Sequence, residues 1–196
     1  MRHFLSASVA ISLSITLSGC GGEASTNTDI ESVDVVTPVE DWVMVWGDEF
    51  DGTAIDMTKW SHEVTCDGGG NQEKQCYTDS SDNSFVSDGF LNIVALPAAE
   101  GSAQPYTSAR MITRDKADFT YGRFEMKAKL PSGQGSWPAF WMMPTDETYG
   151  GWPKSGEIDI VESVNLKAGR ADGVVENNVY GTLHYGKDSP DNVSSG

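Results

Sequence analysis

The sequence predicts an all-β fold, an antiparallel sandwich of short strands. Three observations support this. From Trp42 onward, short apolar runs are separated by turn residues, at 43–46, 85–86, 90–96, 122–130, 139–143, 158–161 and 179–183. Many of these runs alternate apolar and polar residues with period two, the spacing of a strand with one buried face. No stretch keeps a helical period for ten residues. A sandwich is the architecture that buries such half-apolar sheets.

Taken in chain order, the first segment lies outside the sandwich. Met1, Arg2 and His3 make a short basic start, and residues 4–17 are apolar with interspersed serines. That run is too short to span a bilayer as a stable helix. It ends in Leu17-Ser18-Gly19-Cys20, which resembles the lipobox of bacterial lipoproteins. The resemblance implies a signal peptide over 1–19 and an acylated Cys20 as the new N-terminus. It further implies an exported protein, lipid-anchored to a bacterial membrane on its periplasmic or cell-surface face. A plain secretory signal is the alternative. Residues 20–40 are rich in Ser, Thr, Asp, Glu and Gly without apolar period and read as a flexible tether. The domain is expected over 41–196.

Within the domain, the run 122–130 shows the alternation best. Phe124, Met126, Ala128 and Leu130 occupy one face, and Glu125, Lys127 and Lys129 the other. Asp88-Gly89 and Ser132-Gly133 are expected tight turns. Cys66 and Cys76 flank a glycine-rich loop. Export places them where nearby thiols pair. Two buried free thiols are the alternative, and a zinc site is excluded by the missing histidines. The chain carries 29 acidic and 13 basic residues, a formal net charge of -16. No basic patch exists to attract nucleic acid or another polyanion. The simple meaning of the charge is solubility.

The most informative segment is Gly156-Glu157-Ile158-Asp159-Ile160-Val161-Glu162. On a strand, Glu157 and Asp159 share one face, and Ile158 and Ile160 share the other. Strict alternation sends Glu162 to the apolar face. One extra residue, a β-bulge near Ile160-Val161, returns it to the acidic face. Three carboxylates on one strip repel, so one must hold a proton near neutral pH. A glycosidase needs that state, with one carboxylate ionised as nucleophile and one protonated as acid. The competing account is an exposed acidic strand with Glu162 pointing elsewhere. Trp137, Trp141 and Trp152 lie close by in sequence. Indole faces stack on the C–H faces of sugar rings. Phe140 and Met142 read as core, while for Trp141 groove and core both remain open.

These segments resemble glycoside hydrolase family 16, within it the bacterial laminarinase-like endo-β-1,3-glucanases. The resemblance runs through Trp46-Gly-Asp-Glu49-Phe50-Asp51-Gly52 and Gly68-Gly69-Gly70-Asn71-Gln72-Glu73. It continues through Tyr106-Thr-Ser-Ala-Arg110, Tyr121-Gly-Arg-Phe-Glu125 and the stretch from Lys129 to Met142. It closes with the acidic segment and with Gly181-Thr-Leu-His184-Tyr185. It implies a concanavalin-like jelly-roll sandwich of two antiparallel sheets and a retaining cleavage of β-1,3-glucan. Mixed-linkage glucan and agar-type galactan are the alternative substrates, and a non-catalytic glucan-binding protein the more distant one. Glu157 matches the nucleophile, Glu162 the acid/base and Asp159 the acid between them. Asn71, Arg110, Trp137, Trp141 and His184 match positions that line sugar subsites, with Trp152 as a further aromatic candidate. The chemistry needs no cofactor. A structural calcium ion is expected at Glu49 and the backbone of Gly89. Lys74, Cys76 and the stretch 162–165 depart from the usual pattern and bear on fine specificity. A monomer is expected. Because the family's sandwich runs beyond the His184 strand, and 188–196 reads as a loop, a C-terminally truncated and poorly folding fragment is also expected.

Overall fold

The computed structural model describes residues 42–169 and 173–196. The signal peptide, Cys20 and the whole tether therefore lie outside the described residues. Residues Trp46–Gly196 form one compact unit. Every regular element among the described residues is a strand.

The central element is a four-stranded antiparallel sheet in the order β11-β10-β9-β8. It consists of β8 (Ala139–Met142), β9 (Glu157–Glu162), β10 (Tyr180–Gly186) and β11 (Asn192–Ser195). Ile158, Ile160 and Val161 give β9 the β-branched content that suits a pleated surface. Three smaller ladders precede it. β1 (Ser61–His62) pairs with β7 (Met111–Ile112). β2 (Gln75–Tyr77) and β5 (Leu96–Pro97) flank β6 (Tyr106–Ser108), and the β2–β6 pairing is parallel. β3 (Ser84–Ser87) and β4 (Phe90–Ile93) make a hairpin.

The hairpin turn is the expected Asp88-Gly89, with φ of 55° and 76°. Two successive positive φ values make the primed turn that matches strand twist, and Asp-Gly is the pair that tolerates it. Four expectations need correction. Residues 43–46 form no strand. Residues 122–130 form none either, despite their alternation. Alternation defines two faces, but a strand also needs a second backbone to accept its hydrogen bonds, and no strand pairs with either run among the described residues. The segment read as a terminal loop contains β11, whose Asn192–Ser195 pair with Leu183–Gly186 of β10. The glycine turn after Pro131 also sits two residues later than expected, closing from Ser136 N–H to the Gly133 carbonyl around Gln134-Gly135.

Among the described residues the buried hydrophobic side chains are Cys76, Val86 and Ala109, with Pro153 fully buried. The acidic and apolar faces of β9 are cleanly separated. On the apolar side, Ile158 and Ile160 join Met142, Phe119, Tyr121 and Phe124 around an open concavity of about 490 Å³. Phe140 pairs with Val161 and Met142 with Ile158, on the non-acidic side as expected.

Candidate active site

The bulge decides the site. On β8, Trp141 pairs with Asp159 while its neighbour Phe140 pairs with Val161, so one step on β8 spans two on β9. On β10, Thr182 pairs with Asp159 and Tyr180 with Glu162, so two steps there span three. Directly paired residues of adjacent strands present side chains to the same face. Ala139 and Trp141 alternate onto one face of β8; Tyr180, Thr182 and His184 onto one face of β10. Glu157, Asp159 and Glu162 therefore share that face, with the irregularity where the sequence placed it.

Each carboxylate meets a different ring nitrogen. Trp137 Nε1 donates to Glu162 Oε1 at 2.9 Å. His184 Nε2 lies 3.0 Å from Asp159 Oδ2. Trp152 Nε1 donates to Glu157 Oε2. Asp159 is only 5% exposed, whereas Trp137 and Trp152 remain 47% and 46% exposed. The two indoles thus hold carboxylates by their edges while part of each ring stays open to a ligand. Burial raises the Glu157 pKa above the usual carboxylate range, and the Asp159 charge adds to the rise. The Trp152 hydrogen bond and the His184 ring oppose it.

Arg110 approaches from the β6–β7 connection. Its guanidinium sits 4.4 Å from the Tyr77 ring centroid and 5.3 Å from that of Trp141. Glu63 lies 3.6 Å away and Glu73 4.0 Å. Glu73 also accepts from Tyr77 Oη at 2.8 Å. Burial, then this bond, raises the Tyr77 pKa and keeps the phenol a donor. Trp141 thus lies on the acidic face, paired with Asp159.

Asn71 lies in the loop beside Arg110. Cys66 and Cys76 are joined by a disulfide that closes this loop. Asn71 N–H and Glu73 N–H both donate to the Gly68 carbonyl. Gly69 has φ of 57°, and a Cβ there would fall 2.5 Å from Glu73 Oε1. The positive φ favours glycine there, and any Cβ would displace the Glu73 side chain. The Asn71 side chain is exposed and stands at the loop tip.

The calcium residues do not assemble. Glu49 and Gly89 are exposed, and the nearest group to a Cβ at Gly89 is Asp51 Oδ1 at 4.0 Å. Among the described residues no three His, Cys, Asp or Glu groups gather around a metal-sized space.

Sequence reasoning did not single out Glu63, Glu73 and Tyr77 around Arg110, or Ser194 beside His184. The first three had a weak signal, since Glu73 lies inside a quoted motif. Ser194 had none, because only strand register brings it to the site.

The sequence family described as XgeA-like, catalytic GH16 domain, matches residues 103–175. A β-glucanase of Rhodothermus marinus is 46% identical over 146 residues, covering 72% of this chain and 51% of the relative. A glucan endo-1,3-β-glucosidase of Cryptopygus antarcticus is 46% identical over 156 residues, 77% of this chain and 53% of its own. The chain is a homologue of the glycoside hydrolase family 16 laminarinases. The solved laminarinase of Rhodothermus marinus superposes with a TM-score of 0.67 at 42% identity, covering 78% of this chain and 60% of that one. The all-β architecture of this family 16 homologue is thus that of the family's jelly-roll enzymes. The chain spans about half the length of the curated relatives it matches.

Proposed function

We propose that the protein is an endo-acting β-1,3-glucanase that cleaves internal bonds of laminarin-type β-glucan with retention of configuration. One observation carries the reading: the β9 bulge gathers Glu157, Asp159 and Glu162 on one face, each beside its own ring nitrogen. In the first step the Glu157 carboxylate attacks the anomeric carbon, and Glu162 gives its proton to the departing glycosidic oxygen. In the second, Glu162 takes a proton from water, the water oxygen bonds to the same carbon, and Glu157 leaves. Asp159 stands between them and takes part in holding the proton distribution. Two inversions give retention, and retaining pairs stand about 5–5.5 Å apart.

Asn71, Arg110, Trp137, Trp141, Trp152 and His184 are proposed to line the sugar subsites. Support comes from the open indoles and from Arg110 held beside Trp141. The identity to β-1,3-glucanases favours laminarin over mixed-linkage glucan and agar. The test is reducing-sugar release from laminarin, lichenan and agarose by the protein at its native length. Cleavage of agarose without laminarin overturns the substrate. Proton NMR of early products checks stereochemistry, and an inverted anomer rejects the roles of both glutamates. Azide should restore activity to Glu157→Ala on an activated substrate.

The same reading makes the protein an exported monomer anchored through an acylated Cys20. Its support is the lipobox-like Leu17-Ser18-Gly19-Cys20 behind an apolar segment. Mass spectrometry of the mature N-terminus decides it; an N-terminus elsewhere removes the anchor. Further strands are proposed to cover the apolar side of β9, on the support of the open concavity around Ile158 and Ile160. Cooperative unfolding of residues 1–196 alone, with hydrolysis of laminarin, refutes that part.

A further inference from the structure

His184 is held on three sides. Its Nε2 lies 3.0 Å from Asp159 Oδ2, and its Nδ1 lies 3.0 Å from Ser194 Oγ. The Trp152 ring lies beside it, tilted by 46° with 6.0 Å between centroids. Ser194 reaches the ring because β11 pairs with β10 so that His184 and Ser194 are direct cross-strand partners.

The two nitrogens of a neutral imidazole differ, since one donates and the other accepts. A carboxylate at Nε2 calls for a hydrogen there. The Nδ1 lone pair then needs a donor, and the Ser194 hydroxyl is placed to supply it. With the other tautomer, a lone pair would face the Asp159 carboxylate at 3.0 Å. That contact is repulsive unless Asp159 takes up a proton. The proton shared by the acidic strip would then sit on the middle acid instead of on a glutamate.

We propose that Ser194 is a positioning residue that fixes His184 as the Nε2–H tautomer, so that Asp159 stays a hydrogen-bond acceptor and the strip's proton is left to the glutamates. This rests on the glycosidase reading above. Ser194 touches neither glutamate in any recorded bond. It acts through His184 and Asp159, one strand removed from the carboxylates that would do the chemistry.

The test uses the protein at its native length with 15N-labelled imidazoles. His184 is assigned by the signals lost in His184→Gln. In the native protein its two nitrogens should show well-separated shifts, one protonated at Nε2 and one bare at Nδ1. Ser194→Ala should move both toward averaged values and lower kcat on laminarin roughly tenfold, the scale of losses from outer hydrogen-bond partners. KM should stay within about twofold, because substrate contacts are untouched. Ser194→Thr, which keeps the hydroxyl, should restore both readouts. Unchanged nitrogen shifts in Ser194→Ala overturn the proposal, and so does an unchanged kcat. If the native protein cleaves no glycan, the glycosidase reading fails instead, while the nitrogen shifts still decide whether Ser194 governs the ring.

Discussion

Glu157 is pulled in two directions. Burial and the neighbouring Asp159 charge raise its pKa, and the Trp152 N–H and His184 ring restrain the rise. Trp152→Phe keeps an aromatic face but removes the donor, so the Glu157 pKa should climb further. A nucleophile must be ionised. The acidic limb of kcat/KM should therefore shift to higher pH, with activity at pH 5 falling more than at pH 7; an unmoved limb would contradict it. The same shift has a consequence for stability. A carboxyl whose folded pKa is raised binds its proton more tightly when folded. It favours the fold at low pH and opposes it as pH rises through the folded value. Glu157→Gln should then raise the melting temperature at pH 7, and the gain should fade toward pH 4. Arg110 presents a different residue-scale feature, a planar cation between Tyr77 and Trp141. Lysine keeps the charge but neither the plane nor the stacking. Arg110→Lys should raise KM for laminarin about tenfold, or about 1.4 kcal/mol, with kcat little changed.

At the scale of elements, the bulge and the disulfide loop matter most. The bulge was legible, because Glu157, Asp159 and Glu162 can share a face only if one residue is extra, and three acids beside tryptophans call for one face. Its location relative to Phe140 and Tyr180 was not legible, since pairing register depends on distant strands. The loop from Cys66 to Cys76 is anchored by the disulfide and by Thr65 and Tyr77, which exchange backbone hydrogen bonds. Closing a loop with ten residues of separation stabilises a fold by about 2–3 kcal/mol in the chain-entropy account. Replacing both cysteines by serine should lower unfolding stability by about that amount and loosen Asn71 and Arg110, seen as a higher KM. Urea unfolding measures the first, and an unchanged midpoint would mean that the loop's own hydrogen bonds suffice. The alternation at 122–130 misled in the opposite way. It gives a correct account of two-faced character, while pairing requires a neighbour that local sequence does not specify.

The whole molecule carries a formal charge of -16, and its central sheet adds three clustered acids. Self-repulsion of this size opposes the compact state, and salt screens it over about 10 Å at 0.1 M. The melting temperature should therefore rise between 20 mM and 500 mM sodium chloride. A fall, or no change, would show that attractive pairs such as Arg110–Glu63 and Lys154–Asp188 dominate the balance. The central sheet meets two very different environments. One face holds carboxylates, indoles and an imidazole in mutual hydrogen bonds; the other presents isoleucines, methionine and phenylalanines around an open concavity.

Period two, turn residues and the absence of a helical run determined an all-β chain without reference to any contact. The spacing of Glu157, Asp159 and Glu162, with indoles nearby in sequence, determined a carboxylate site and the need for a bulge. Local patterns suffice there, because the direction of a side chain on a strand follows from counting residues. The partners of those carboxylates were decided only in three dimensions. Trp137 serves Glu162, Trp152 serves Glu157 and His184 serves Asp159, and no rule of spacing assigns them. Arg110 reaches Trp141 from the β6–β7 connection, outside the central sheet, and Ser194 reaches His184 through the register of the β10–β11 pair. Register between such strands is set by the hydrogen-bond ladder and the packing of the faces together, so it belongs to the assembled sheet and to no single segment.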